Sequence, residues 1–454
     1  MKHTVKHRRF RKDISKEGLL RAIREEFASI PGAEEVARKF SLVDYLMSSL
    51  AIFVFKCSSL LQFDRLVRTG PLKANLKNLF GVENPMCDSA IRKKLDHVEP
   101  SKLRGAFKKF FRIVQRGKLL ESFRVFDGYY LLPADGTEVH DSKSIHCEHC
   151  CERKRRDGKT EWYHQLVVGV ICHPKRSQVI PLMPEPIERS DGQGKNDSES
   201  AAAKRFFAHF REDHPRMRCI VLQDGLYSNG PHIRMLKEHD LRYIIVARAG
   251  DHRHLFEILD TDPNVRTMKT TDEKGVVHEF RYVENVSLNA SNPDERVNAV
   301  DYVETQKDKK IVKGKKEDKV VRYTWVTDLP VNQDTVMDIM RAGRKRWMIE
   351  NETIKTLKKD GYHFEHNYGH GNKYLFNVFT SLMMLAFGID QVEALDCKVY
   401  RAAVKARINA RVLREAIRVY IHDIVFTDWM SLYLFFIDGG VRGRGSPDEQ
   451  RGCA

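Results

Sequence analysis

Asp135, Asp224 and Glu350 are the residues of this sequence whose types and settings could do chemistry together. Each aspartate ends a short apolar run and precedes a glycine, in Leu132-Pro133-Ala134-Asp135-Gly136 and Val221-Leu222-Gln223-Asp224-Gly225. Glu350 follows Met348-Ile349 in a stretch with helical spacing. Carboxylates that converge repel one another, so a trio brought together by a fold implies a cation. Oxygen ligands of this kind suit Mg2+, with Mn2+ able to substitute. Two such ions about 3.5 to 4 Å apart stabilise both the attacking and the leaving oxygen of a phosphodiester. Taken singly, an Asp-Gly pair is ordinary turn chemistry and a glutamate on a polar helix face is a solvated charge. Glu352 is the rival for the third acid. It lies about 200° round a helix from Glu350, so only one of the two can face a site. Glu350 shares a face with Arg346, one turn earlier, and is preferred.

The elements that must position these acids follow from the periodicity. Tyr129 to Ala134 reads as a buried strand running into a turn at Asp135-Gly136-Thr137, with Pro133 arguing against a full ladder at its end. Trp162 to Cys172 and Val179 to Met183 read as a hairpin. Glu199 to Phe210 reads as a helix, Cys219 to Leu222 as a short apolar strand, Ser228-Asn229-Gly230-Pro231 as a helix start, and Tyr243 to Ala247 as another strand. One aspartate thus falls at the end of the first strand and the other after the fourth, which is the ribonuclease H-like order. About 75 residues from Asp251 to Trp325 then intervene, with alternating runs such as Phe280-Arg281-Tyr282-Val283, and read as a β-rich insertion. A helical pair from about Asn332, weakened at Gly343 and stopping at Asp360-Gly361, carries Glu350.

The expected fold class is α/β: a ribonuclease H-like mixed sheet with a β-rich insertion, preceded by a helical N-terminal region and followed by C-terminal helices. The expected divisions are 1–120 for the helical, DNA-binding region and 121–250 for the first part of the catalytic core. The insertion takes 251–330, the glutamate helix and end of the core 331–390, and the C-terminal helices with a frayed tail 391–454. The chain has 454 residues, of which 42% are hydrophobic, ample for a large core. Its 78 Lys and Arg against 62 Asp and Glu leave a formal charge of +16, which favours a polyanion such as nucleic acid. The nine cysteines are mostly scattered, as suits a reducing cytosol. The apolar runs at Leu42 to Phe55 and Tyr374 to Ile389 read as buried helices rather than membrane spans. A cytoplasmic, nucleoid-associated protein without a membrane partner is expected.

The segments Leu132-Pro133-Ala134-Asp135-Gly136-Thr137, Leu222-Gln223-Asp224-Gly225-Leu226-Tyr227 and Arg346-Trp347-Met348-Ile349-Glu350-Asn351 resemble the three acidic motifs of the DDE transposases of bacterial insertion sequences. The run Gly361-Tyr362-His363-Phe364-Glu365-His366-Asn367-Tyr368-Gly369 is also similar to that group, and the resemblance spans roughly residues 85 to 390. It implies Asp135, Asp224 and Glu350 as catalytic ligands of two divalent ions. It implies cleavage at terminal inverted repeats, transfer of the freed 3′ ends into target DNA, and a homodimer within a synaptic complex. It places Arg346 and Lys358 against DNA. The group's Tyr and Lys positions flanking the third motif are here Gly343 and Leu357, with Lys358 one step off, about 80° round from Glu350. Two alternatives remain: a metal-dependent nuclease limited to hydrolysis, and a transposase-derived DNA-binding protein without catalysis.

Three further features complete the reading. Cys147-x-x-Cys150, with Cys151, His146, His149 and His164 nearby, has half the spacing of a structural zinc site and no second cysteine pair. Trp325, on the strand before the glutamate helix, could stack on a flipped DNA base or fill the core. The basic residues of the first 120, including Arg8, Arg9, Arg11, Lys12, Arg92, Lys93, Lys94, Lys108 and Lys109, suggest recognition of the element's ends. The charge run from Lys307 to Lys319 reads as solvated in the absence of DNA.

Overall fold

The computed structural model describes residues 13–32, 40–68, 70–189, 195–312 and 315–439. Arg8, Arg9, Arg11, Lys12 and the tail beyond Gly439 lie outside them, as do the side chains of much of the Lys307 to Lys319 run.

The strands, in chain order, are β1 (Arg124–Val125), β2 (Tyr129–Ser142), β3 (Cys151–Lys154), β4 (Thr160–Ile171), β5 (Ile180–Pro181) and β6 (Glu185–Ile187). After a helix come β7 (Cys219–Gln223), β8 (Arg242–Val246), β9 (Arg266–Thr271), β10 (Val277–Asn289), β11 (Asn292–Val312) and β12 (Lys315–Thr327). They form one mixed sheet in the order β3-β4-β2-β7-β8-β12-β11-β10-β9, with β1 on β2 and both β5 and β6 on β4. The three central strands β2, β7 and β8 are parallel, and β4 and β12 flank them antiparallel. All five residues of β7 are buried, as a parallel strand covered on both faces requires.

Two sequence expectations change here. β2 does not turn at Asp135-Gly136-Thr137 but continues to Ser142. Its parallel ladder with β7 ends at the pair Pro133–Leu222, and from Ala134–Gly169 onward β2 is held by β4. Proline's missing N–H marks the change of neighbour rather than the end of the strand. The insertion is β-rich as expected, with an added helix at Arg253–Thr261. It is not a separate sheet, because β12 pairs directly with β8 through Trp325–Val246, Val326–Ile245 and Thr327–Ile244.

The helices Lys16–Ala28 and Leu42–Val54 pack on the C-terminal helix Leu375–Asp396. That last helix is, among the described residues, the one long and apolar enough to cross a membrane, and 94% of its most apolar window is buried within the protein. A buried ion network fastens the assembly. Asp390 accepts from Lys56 Nζ at 2.9 Å and lies 3.6 Å from both Lys16 Nζ and Arg414 Nε, while Lys16 reaches Glu393 at 2.7 Å. The Tyr362 hydroxyl donates to the same Asp390, and Tyr368 donates to the Cys57 carbonyl. The run Gly361 to Gly369 therefore stitches the end of the glutamate helix to Cys57, just after the helix Leu42–Val54, and to the helix Leu375–Asp396.

Candidate active site

Asp135 occupies the stretch of β2 just past the end of β7, and Asp224 is the first residue after β7, so the two aspartates flank one step in the sheet. Asp224 caps the short turn that follows, accepting from the Leu226 N–H at 3.0 Å. Glu350 comes from the covering helix, which is irregular here. Val336–Gly343 is α-helical, Arg344–Arg346 tightens to a 3₁₀ turn, and Ile349–Ile354 widens to a π-helical turn before Lys355–Lys359 resumes the α form. Wide turns of this kind recur at functional sites, where they re-aim side chains. Gly343 is required by packing, since a Cβ there would sit 2.8 Å from the Trp325 ring. The helix thereby lies close on the sheet.

Arg346 joins the acids. Its Nη1 lies 3.1 Å from Asp135 Oδ2 and 2.8 Å from Glu350 Oε1, so a single guanidinium nitrogen bridges the first and third acids of the trio. Asp224 has its own partner in Arg248, at 3.2 Å. Burial pushes the Asp135 carboxyl up to about 7; Arg346 opposes the rise, while Asp224, Glu199 and Glu350 add to it by repulsion. The other two expected acids thus both act on Asp135.

Glu199, on the helix Lys195–Asp213, is a fourth acid that the sequence reading did not single out. The Tyr227 hydroxyl donates to its Oε1 at 2.8 Å, and burial, followed by Glu199, raises that phenol well above its usual range. The Glu199 carboxylate lies over Gly136, where a Cβ would come within 2.4 Å of its Cδ. The glycine after Asp135 is explained by this close approach rather than by a turn. Gly136 and Tyr227 were the available signals, but each is commonplace alone. The acidic oxygens present suit a divalent cation better than they suit one another, and Asp135, Asp224 and Glu350, with Glu199 adjoining, are the residues that would hold it.

The remaining sequence candidates fall elsewhere. Trp325 is 1% exposed, with its ring 5.5 Å from that of Tyr323 and nearly parallel to it, so it is a core residue and stacking on a base is not open to it in this arrangement. The exposed tryptophan is Trp347, beside Arg346, with Lys345 Nζ 5.1 Å above its ring. Trp347, Lys345, Arg344, Arg341 and Lys175 line an opening of about 760 Å³ next to the glutamate helix. Lys358 pairs with Glu365 at 2.8 Å and lines a different basic pocket, with Lys56, Arg411, Arg414 and Arg418. Glu352 has no partner in common with Asp135, and Leu357 is fully buried. Cys147 and Cys150 lie together with His164 and His370, whereas His146 stacks on Trp162 and His149 on Tyr374.

No family model matches this chain, and no curated protein matches it.

Proposed function

We propose that this protein is a transposase of the DDE type, cutting DNA at the ends of an insertion sequence and joining them to target DNA with Asp135, Asp224 and Glu350 as ligands of two Mg2+ ions. The observation that carries the reading is the bridging of Asp135 and Glu350 by Arg346 beside Asp224. Asp135 and Glu350, 215 residues apart, share one guanidinium nitrogen, and Asp224 is close enough to raise the Asp135 pKa, which supports a common site. The strand order supports it further. With β5 and β6 as the third strand, the core runs third, second, first, fourth, fifth, the first strand antiparallel to the second and parallel to the fourth, an order consistent with the proposed ribonuclease H-like core.

The bound ions would supply charge stabilisation at the attacking and leaving oxygens. The chain's own residues do the rest. Asp135, Asp224 and Glu350 would hold the ions, Asp135 in its ionised form, and the negative charge of Glu199 beside it would favour a bound cation. Arg346, one turn from Glu350 and paired with both Asp135 and Glu350, would hold a DNA phosphate once a cation took its place between the acids. The basic opening around Trp347 suits a sugar-phosphate backbone with a base stacked on the indole. Terminal inverted repeats and target DNA would be held by a homodimer in a synaptic complex.

The test uses the full chain with a linear duplex carrying the DNA that flanks its coding region. With Mg2+ or Mn2+ the expected products are nicks at the terminal repeats and joined strands in a target plasmid, absent in Asp135→Asn, Asp224→Asn and Glu350→Gln. Nicking without joining would reduce the reading to a hydrolytic nuclease. Metal-independent binding to the ends with no cleavage would leave a DNA-binding protein.

A further inference from the structure

Cys147, Cys150, His164 and His370 form a second cluster, built of sulfur and nitrogen rather than oxygen. Cys147 and Cys150 sit in one turn between β2 and β3, closed by Cys150 N–H donating to the Cys147 carbonyl at 3.2 Å. Cys147 N–H in turn points at Cys150 Sγ, at 3.4 Å. His164 lies on β4. His370 lies 220 residues beyond Cys150, in the segment after the glutamate helix. Its backbone is set between Gly369 and Gly371, both at positive φ, and Asp96 fixes the following turn by accepting from the N–H groups of Asn372, Lys373 and Leu375. All four residues are largely buried.

The four donor atoms all lie within 4.8 Å of one another, at spacings near the edges of a tetrahedron. Sγ to Sγ is 3.8 Å. His164 Nε2 is 3.5 Å from each sulfur, and His370 Nε2 is 3.1 Å from Cys150 Sγ. The two Nε2 atoms are 3.3 Å apart. A tetrahedral ion with bonds of about 2.3 Å to sulfur and 2.0–2.1 Å to nitrogen would put these edges at about 3.8, 3.6 and 3.4 Å respectively. Hydrogen bonding alone does not account for the group. His164 Nε2 faces three neighbours at once, yet one ring nitrogen offers a single proton or a single lone pair. The His164 ring is held flat against Phe376, at 4.0 Å between centroids and 5° between planes, so its nitrogen is aimed and not free to turn away.

We propose that Cys147, Cys150, His164 and His370 bind one structural Zn2+. Two thiolates and two imidazoles are the donor set for that ion and a poor one for Mg2+, which keeps this site chemically distinct from the carboxylate cluster. All four positions are filled by protein, leaving none for a reactant. The ion's work is a tether. His140 pairs with His164 and Asp135 with Val168 on the same β2–β4 ladder, and cross-strand partners point to one side of a sheet. The ladder from Val168 to His164 is about 13 Å long at the usual rise per residue. The ion therefore ties the segment following Glu350 to the sheet face that carries Asp135.

The test is metal content of the full chain, purified without added metal and dialysed against Mg2+. One zinc per chain is expected, released on titration of the thiols with an organomercurial. Replacement by Co2+ should give the visible bands of a tetrahedral ion together with sulfur-to-cobalt charge-transfer absorption. Cys150→Ser and His370→Ala should lose the metal, and His146→Ala should keep it. Should the first two variants fail to fold, the cobalt spectrum of the unaltered chain still decides: no tetrahedral thiolate bands would overturn the site. Zinc retained in His370→Ala would overturn the ligand set, as would a zinc-free chain that neither binds the ion nor gains thermal stability when it is added. None of these readouts depends on DNA cleavage.

Discussion

Two aspartates in this molecule, Asp390 buried and Asp135 partly buried, are held in opposite ways. Asp390, in the helical layer, is surrounded by Lys16, Lys56 and Arg414, and although burial alone would raise its pKa, those cations drive it far below the ordinary carboxylate range. Asp135, on the sheet, is surrounded by Asp224, Glu199 and Glu350 against Arg346, and its pKa rises to about 7. The first cluster surrounds its aspartate with cations, and Lys56 is itself pushed down to about 7 by burial, with Arg414 and Lys16 adding to the fall against the pull of Asp390. The second is short of positive charge, at a place where the covering helix loses its regular form. Opposite charges gather around Asp390, whereas like charges gather around Asp135, as a site that took a cation would require.

The largest expected effect comes from breaking the Asp390 cluster. Asp390→Ala leaves Lys56 with only the Phe53 carbonyl and the face of Tyr362 as partners, since its ion pair was with Asp390. Removing one member of a buried ionic group costs about 3–5 kcal/mol, because the others stay buried without compensation. Urea denaturation should register that loss. A change within error would mean that water reaches the network.

The Asp135 cluster should answer with the opposite sign. Asp135 has a native pKa of about 7 against an unfolded value of 3.8, so between those values the folded chain holds a proton that the unfolded chain has lost. Stability of the metal-free protein therefore falls as pH rises through that window, by on the order of 4 kcal/mol in all, and no penalty applies below it. Asp135→Asn should remove the slope, leaving the variant more stable than the parent at pH 8 and alike at pH 4. Mg2+ or Mn2+ should reverse the ranking at pH 8 by stabilising the parent alone. Parallel stability–pH curves for the two proteins would contradict the unbalanced-charge account.

What could be read from the chain differs between the two regions for physical reasons. Asp135 and Asp224 stood out because each follows an apolar run, and Glu350 because it shares a helix face with Arg346, patterns that short stretches of sequence carry. The continuation of β2 past Asp135 was hidden, because it depends on β4 supplying hydrogen bonds after β7 stops. Glu199 was hidden because its place is set by the packing of a helix over Gly136. His370 was beyond reach as a partner of Cys150 because the contact closes over 220 residues. Trp325 and Trp347 show the same limit. One is buried on β12 and the other exposed on the helix above it, and nothing in their immediate sequence separates them.

A moderate effect is expected from Glu199→Gln. The amide oxygen can still accept from Tyr227, so the fold is kept, while one negative charge leaves the neighbourhood of Asp135. Groups adjoining a metal site typically alter affinity by about 10–100-fold, and an effect near the lower end is expected for Mn2+ binding followed by calorimetry. The variant should also lower the pH at which Asp135 titrates. Unchanged affinity and an unchanged titration would place Glu199 outside the site.

Arg346→Ala should give the smallest change, and it discriminates most finely between the two clusters. In the Asp390 network Arg414 is nine-tenths buried, and nothing could replace it. Arg346 is partly exposed and bridges Asp135 and Glu350 through a single nitrogen, the position of a cation that a metal could displace. Its removal takes away the cation that lowers the Asp135 pKa, so that carboxyl should titrate above about 7 in the variant. At pH 8.5, where both proteins are ionised, a metal ion no longer competes with the guanidinium, and Mn2+ should bind a few-fold more tightly than in the parent. Affinity for terminal-repeat DNA should fall at the same time, since a phosphate contact is lost. Tighter metal with weaker DNA is the signature of an exchangeable counter-ion. Weaker metal binding at that pH would mean instead that Arg346 orients the carboxylates, as Arg414, Lys16 and Lys56 hold Asp390, and the two clusters would then work by one principle rather than two.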